Sequence, residues 1–232
     1  MDVNYSQINF IYSAEYDAIM QIIWHGHSCF EFIDQNNDVL IDPHDGKSIG
    51  IKPPISNANI VLVSHNHSDH NVVRIVRGTH TDILGTLGFT SVNGITFEGL
   101  ASYHDESEGS ERGKNTIFKF KMDGISICHC GDLGDIPADD VMSKLTDIDI
   151  LFVPVGEIFT IPLVKLNLFL NRVKPKVVVP MHYRVGGLTF PAKNLDEFIE
   201  GIDKDMLIYV GNEVELSVED LTEFVGCWVF DR

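Results

Sequence analysis

Cationic side chains are scarce in this chain: 17 Lys and Arg stand against 34 Asp and Glu, a formal net charge of −17. Sequence-independent affinity for a phosphate backbone rests on clustered Lys and Arg, so this balance argues against nucleic acid as a partner. No apolar run approaches the roughly 18 residues needed to cross a bilayer, and no membrane association is expected. No cationic segment with an apolar core and a small-residue cleavage site opens the chain. The cysteines, Cys29, Cys128, Cys130 and Cys227, are too few for a disulfide scaffold, so a cytoplasmic location is expected. Cys128-His129-Cys130 has no matching second pair, and alternation along a strand sends both sulfurs to one face, which favours core cysteines over metal ligands. No G-x-S-x-G elbow accompanies Ser28, Ser64 or Ser68, which argues against a serine triad. Pro-, Ser- or Gly-rich linkers are absent too, and 232 residues with 44% hydrophobic content can bury one sizeable core.

What the chain does have is a dense cluster of metal-binding side chains. His65-Asn66-His67-Ser68-Asp69-His70 follows Ile60-Val61-Leu62-Val63-Ser64, an apolar run that reads as a buried strand. Neutral imidazoles and an ionised carboxylate suit zinc and its first-row neighbours, and the C-terminal end of a strand is where α/β proteins place their sites. His65 and His67 alternate at period two, so they converge on one ion only if the backbone turns sharply. Asp69 and His70 then become available to a second ion.

Elsewhere the pattern alternates strands with a few helices. Ile22–Trp24, Cys29–Ile33 and Val39–Ile41 suit an antiparallel meander. Val72, Val73, Ile75 and Val76 predict a helix ending at Gly78, with Asp69 and His70 at its N-terminus. Thr116 to Cys128 reads as a hairpin turning at Asp123-Gly124. Helices are expected at about Asp139–Leu145 and Leu163–Leu170, and strands at Ile148–Val153 and Lys176–Pro180. Leu195, Phe198, Ile199 and Ile202 recur at helix spacing and would cover an outer face. His44 and His80 read as surface or loop residues, and Asp42, before Pro43, as an anchor for its loop or for the metal strand.

The H-x-H-x-D-H signature resembles that of the metallo-β-lactamase superfamily. Trp24-His25-Gly26-His27-Ser28-Cys29-Phe30, Leu40-Ile41-Asp42-Pro43, Arg112-Gly113-Lys114-Asn115-Thr116, His129-Cys130-Gly131-Asp132-Leu133-Gly134 and Pro180-Met181-His182-Tyr183 sharpen the likeness. They are similar to its small metal-dependent hydrolases, including ascorbate-6-phosphate lactonase-like proteins. The resemblance implies an α+β fold, the four-layer αββα sandwich, in a single domain over residues 20–232. On that reading residues 1–19 are expected to be an N-terminal extension.

The same resemblance makes His65, His67 and His104 ligands of one ion and Asp69, His70 and His182 ligands of another, with Asp132 bridging them. It also places His25 and His27 near the metal rim, while Asp105 and Glu106 could orient His104. Two divalent ions are implied, zinc first, with manganese, iron or nickel sharing such donors. The implied reaction is hydrolysis of a small, anionic ester, lactone or phosphoester by a metal-activated hydroxide. Asp132 and Asp69 are the catalytic candidates, Asp69 as a proton relay. His27, Arg112, Asn115, Tyr183 and Arg184 are candidate substrate contacts. The partner is thus a small-molecule substrate, and a homo-oligomer stays open. A metal-dependent nuclease or phosphodiesterase and a non-catalytic metal-binding or redox protein are the alternatives. His67 stands where the superfamily's di-iron branch usually has glutamate.

Overall fold

The computed structural model describes residues 19–231, so the extension expected at residues 1–19 lies outside the described residues except for Ile19. The chain opens with the antiparallel meander β1 (Met20–Gly26), β2 (Cys29–Ile33) and β3 (Asp38–Ile41). Next, β4 (Ile60–Val63) and β5 (Thr81–Leu84) extend that sheet in parallel. A second antiparallel run follows: β6 (Gly88–Val92), β7 (Ile95–Tyr103), β8 (Lys114–Met122) and β9 (Ile125–His129). Asp123 and Gly124 both adopt positive φ at the β8–β9 turn, the backbone that a two-residue hairpin requires.

After the single-turn α1 (Asp139–Met142), β10 (Ile150–Pro154) pairs in parallel with β9, and α2 (Leu163–Val173) leads to the parallel β11 (Val177–Met181). The C-terminal part adds α3 (Asp196–Ile199), β12 (Leu207–Gly211), β13 (Glu213–Leu216), α4 (Asp220–Glu223) and β14 (Gly226–Phe230). The first sheet runs β13-β1-β2-β3-β4-β5, and the second β12-β14-β11-β10-β9-β8-β7-β6.

Side-chain periodicity explains how the sheets meet. Met20, Ile22 and Trp24 of β1 are buried while Gln21, Ile23 and His25 are half-exposed, so one face of that strand is committed to the core. Strand β10 is buried throughout, as a parallel strand covered on both faces should be. Between the sheets, Phe152 receives Phe30 and Phe32 edge-on at centroid distances of 4.6 and 5.3 Å, and Phe32 meets Phe120 at 5.5 Å. Edge-to-face contact places the positive ring edge on a negative ring face, which adds directionality to area burial.

The helical layers are uneven. Helix α2 buries Leu166, Phe169 and Val173 at positions that share one face, and it outruns its expected end by three residues because Lys174 closes it in the left-handed region. The helix expected after His70 is absent, and only the 3-10 turn Val73–Ile75 forms. β-branched side chains lose rotamer freedom in a helix, and the backbone here bonds elsewhere: Val72 N–H donates to Pro43 O and Arg77 N–H to Ser56 O. Val76 instead packs with Cys29, Leu40, Ala58 and Val61 on the outer face of the first sheet. Asp69 and His70 therefore sit in a tight turn, with His70 and Asn71 N–H groups both bonded to His67 O. The segment around Leu195 to Ile202 forms only the one turn of α3, with Phe198 buried.

Because Phe152 joins both sheets and is fully buried, truncating it leaves a cavity that flanking strands cannot close. Phe152→Ala is expected to lower unfolding free energy by about 3–5 kcal/mol, read as a shifted urea midpoint with an unchanged slope.

Candidate metal centre

Strands β3, β4, β7, β9 and β11 all deliver polar side chains from their C-terminal ends to one place: Asp42, the His65–His70 turn, His104, Asp132 and His182. The β1–β2 turn adds His27. His27, Asp42 and His182 have φ of 56°, 51° and 54°, left-handed values that disfavour non-glycine residues by about 1–3 kcal/mol each. Such backbone persists where surrounding contacts over-determine it. Here Trp24 Nε1 donates to His27 O at 3.1 Å, and Asp42 N–H to Leu62 O at 2.9 Å.

Asp132 is the hub. Its Oδ2 lies 3.1 Å from His182 Nε2, 3.2 Å from both His70 Nε2 and His104 Nε2, and 3.8 Å from His65 Nε2. Burial by itself pushes this carboxyl up, and the surrounding His182 and His70 imidazoles overcome that, holding it well below the usual carboxylate range. Three donor groups assemble around it: His65, His67 and His104; His27, Asp69, His70 and His182; and His65, His70 and Asp132, with ligand atoms in each group mutually within 4.8 Å. His70 Nε2, His182 Nε2 and Asp132 Oδ1 are buried without any hydrogen-bond partner. Convergent orphaned atoms of this kind fit a cation, since buried polar groups otherwise find partners. Burial, then the charge of His70, lowers His65 to about 3; burial, then His182, lowers His27 to about 4. Both rings are therefore neutral near pH 7, the state in which imidazole ligates.

A buried carboxylate sets the ring orientations. Asp42 accepts from Ser64 N–H at 2.7 Å and from Ser64 Oγ at 2.7 Å, and its Oδ2 lies 3.0 Å from His70 Nδ1. With its one proton given to Asp42, the Ser64 hydroxyl accepts at 2.9 Å from His65 Nδ1. Both rings consequently carry a proton on Nδ1 and turn Nε2 into the cluster. Burial opposes a second proton on His70, but Asp132 and Asp42 outweigh it and raise His70 well above the usual imidazole range, a demand for positive charge at Nε2 that a cation would also meet. On the other side, Asn115 Oδ1 accepts from Asp132 N–H at 3.0 Å while Asn115 Nδ2 donates to Cys130 O and Ser102 Oγ. Gly131 lies so close that a Cβ there would overlap Asn115 Oδ1 and the Ser64 side chain. His129 closes the frame: Gly131 N–H donates to its Nδ1, which leaves Nε2–H for Ser28 O at 3.0 Å.

Several sequence expectations end up elsewhere. Asp105 does not orient His104; its carboxylate accepts backbone N–H groups of Ser107, Gly109, Glu111 and Arg112 and so ties the β7–β8 loop into a ring. Asn115 and Tyr183 have their polar groups engaged inside the protein, Tyr183 Oη donating to Phe230 O at 3.0 Å. Arg184 is exposed, and its backbone N–H bonds to Lys193 O. His25 faces outward to Glu31 at 2.6 Å, and His80 pairs with Asp82 at 2.7 Å, away from the donor groups. His44, expected as a surface or loop residue, lies in a loop but is fully buried, beside the His25 carbonyl.

Arg112 lies 3.5 Å above the Phe159 ring, and Phe159 packs at 5.5 Å on Phe190, whose ring packs on those of His27 and His182. Phe159 and Phe190 carry no local sequence signal for this role. They lie in loops far apart in the chain, and only folding sets them beside the imidazoles.

Facing mixed sheets with imidazoles and carboxylates gathered at strand ends define a metal-dependent hydrolase of the α+β sandwich class. The β-lactamase superfamily domain matches residues 21–182, and the chain belongs to the metallo-β-lactamase superfamily. A UPF0173 metal-dependent hydrolase of Methanoculleus marisnigri is 28% identical, over 88% of this chain and 100% of its own length. One from Thermoplasma acidophilum is 27% identical, over 71% and 83%. A Thermotoga maritima crystal structure, assigned to the superfamily as a Zn-dependent hydrolase, is 30% identical with a TM-score of 0.74, covering 91% of this chain and 98% of its own.

Asp42→Asn keeps one acceptor but turns an amide N–H toward the Ser64 hydroxyl or His70 Nδ1–H. Zn2+ affinity is therefore expected to fall about 10–100-fold with the fold retained, as measured by chelator competition and circular dichroism.

Proposed function

We propose that this hydrolase is dinuclear and acts on a small, anionic ester, lactone or phosphoester. The observation that carries the reading is the position of Asp132, one carboxylate oxygen within 3.1–3.8 Å of imidazoles drawn from both donor groups. His65, His67 and His104 would hold one ion and Asp69, His70 and His182 the other, with Asp132 between them. Zinc suits the donors, and manganese, iron or nickel share them. Divalent ions there supply Lewis acidity and bring the pKa of water towards about 7.

The chain's own groups supply the rest. Asp69 sits at the rim, its side chain 14% exposed, where its carboxylate can take the proton released by water and pass it to the leaving oxygen. Arg112 is seated on Phe159 and forms no ion pair with a described residue, so its fork is available to a carboxylate or phosphate on the substrate. In a chain of net charge −17, an unpaired cation that connects through Phe159 and Phe190 to the rings of His27 and His182 favours recognition of a small anion. The likeness to ascorbate-6-phosphate lactonase-like proteins points the same way, to a phosphorylated lactone. Four free, buried cysteines support a cytoplasmic setting, and among the described residues no helix is long and apolar enough to cross a membrane.

Asp132→Asn is expected to lower bound metal and to cut turnover at least about a hundredfold, whereas His80→Ala keeps both within about twofold. Full turnover with two ions bound to Asp132→Asn would remove the bridging role. For the substrate class, a panel of p-nitrophenyl acetate, a neutral lactone, p-nitrophenyl phosphate and bis-p-nitrophenyl phosphate separates ester from phosphoester chemistry. Arg112→Gln should lower the ratio of anionic to neutral turnover by about tenfold or more, the worth of a hydrogen bond to a charged group. An unchanged ratio would take Arg112 out of substrate recognition.

A further inference from the structure

We propose that His27 is a metal ligand, the fourth side chain of the site built from Asp69, His70 and His182. We further propose that this site is closed while the His65, His67 and His104 site stays open to water and substrate. The inference rests on the dinuclear reading above and changes what that reading says about the two ions. It also replaces the substrate-contact role that the sequence suggested for His27.

Geometry carries it. The donor atoms of His27, Asp69, His70 and His182 all lie within 4.8 Å of one another. His27 Nε2 is 3.2 Å from Asp69 Oδ2, and its ring centroid is 4.3 Å from that of His182 and 5.0 Å from that of His70. The ring is 1% exposed, so it offers little surface to a substrate. Its backbone is fixed in a left-handed conformation and tied to the next ligand, His182 N–H donating to His27 O at 3.3 Å. His27 also shares a pattern with His104 and His182: Nε2 points into the cluster, and the buried Nδ1 lacks a protein partner. Placing a strained, desolvated histidine there is accounted for if it ligates.

Coordination arithmetic then separates the two sites. Four side chains plus an Asp132 oxygen, 3.1 Å from His182 and 3.2 Å from His70, leave no position for exchange, the arrangement of a structural ion. Phe190 packs on this side, its ring plane crossing those of His27 and His182 at 73° and 86° with centroids 5.6 and 5.3 Å away. The other site has three imidazoles and the same Asp132 oxygen, 3.2 Å from His104, so it has one donor fewer, and His67 is only half-buried. With one donor fewer and a less buried side, that site keeps a position for water, as a catalytic ion needs.

A competing role for His27 is a plain hydrogen bond to Asp69. His27→Gln tells them apart, because an amide N–H can still donate to Asp69 whereas an amide is a poor ligand for Co2+. The experiment titrates the full chain with Co2+, following visible absorption and competition with a chelator. Wild type should hold one chelator-resistant and one labile ion. Both His27→Gln and His27→Ala should raise the dissociation constant of the resistant ion about a hundredfold or more, beyond the usual effect of an outer hydrogen bond. If His27→Gln retains that ion like wild type, the ligand role is overturned. Two ions of equal lability in wild type would overturn the closed-and-open assignment and leave the dinuclear reading standing. No Co2+ binding by wild type would instead fell the dinuclear reading. Imidazole 15N spectra of wild type with Zn2+ give an answer independent of any variant's folding: six rings shift if His27 ligates, five if it does not.

Discussion

A carboxylate sealed from water is the constraint around which this molecule is built. Asp132 is 1% exposed, and an ionised carboxylate in that position is unfavourable unless positive charge or donors surround it. Imidazoles from β4, β7 and β11 supply the surroundings, yet the buried His70 Nε2 and His182 Nε2 lack a hydrogen-bond partner. A metal cation satisfies a carboxylate and inward-facing imidazole nitrogens together. The metal-dependent activity of the superfamily and the burial of its donors are therefore one physical fact.

Holding those donors takes a frame of hydrogen bonds that never touches the interior of the cluster. Asp42 orients Ser64, His65 and His70; Asn115 fixes the Asp132 backbone; His129 ties the end of β9 to the turn carrying His27. Each links strand ends that are remote in sequence. Their cost in desolvation and left-handed backbone is met by the aromatic core beneath, where Phe30, Phe32, Phe120 and Phe152 lock the sheets together.

Asymmetry follows from the same frame. Phe190 packs on the His27 and His182 side, and the loop ringed by Asp105 holds Arg112 over Phe159. A guanidinium is thus joined to the imidazoles through two aromatic rings, Phe159 and Phe190.

Much of this was legible in the sequence wherever the signal is local. The β1–β2–β3 meander, the Asp123-Gly124 hairpin and the apolar strand before His65 depend on neighbours within a few residues, so periodicity and turn chemistry determine them. The resemblance carried the order of candidate ligands, since spacing along the chain records it. Tertiary structure alone decided the rest. Val72 to Val76 has helical spacing but pairs its backbone with the β3–β4 connection, and Asp105, which seemed free to support His104, is consumed by its own loop. Phe159 and Phe190 come from loops whose local sequence is ordinary, and they meet each other and His27 only in the folded chain. Local propensity reads a few residues at a time, whereas a metal centre is made of contacts between strand ends far apart in the chain.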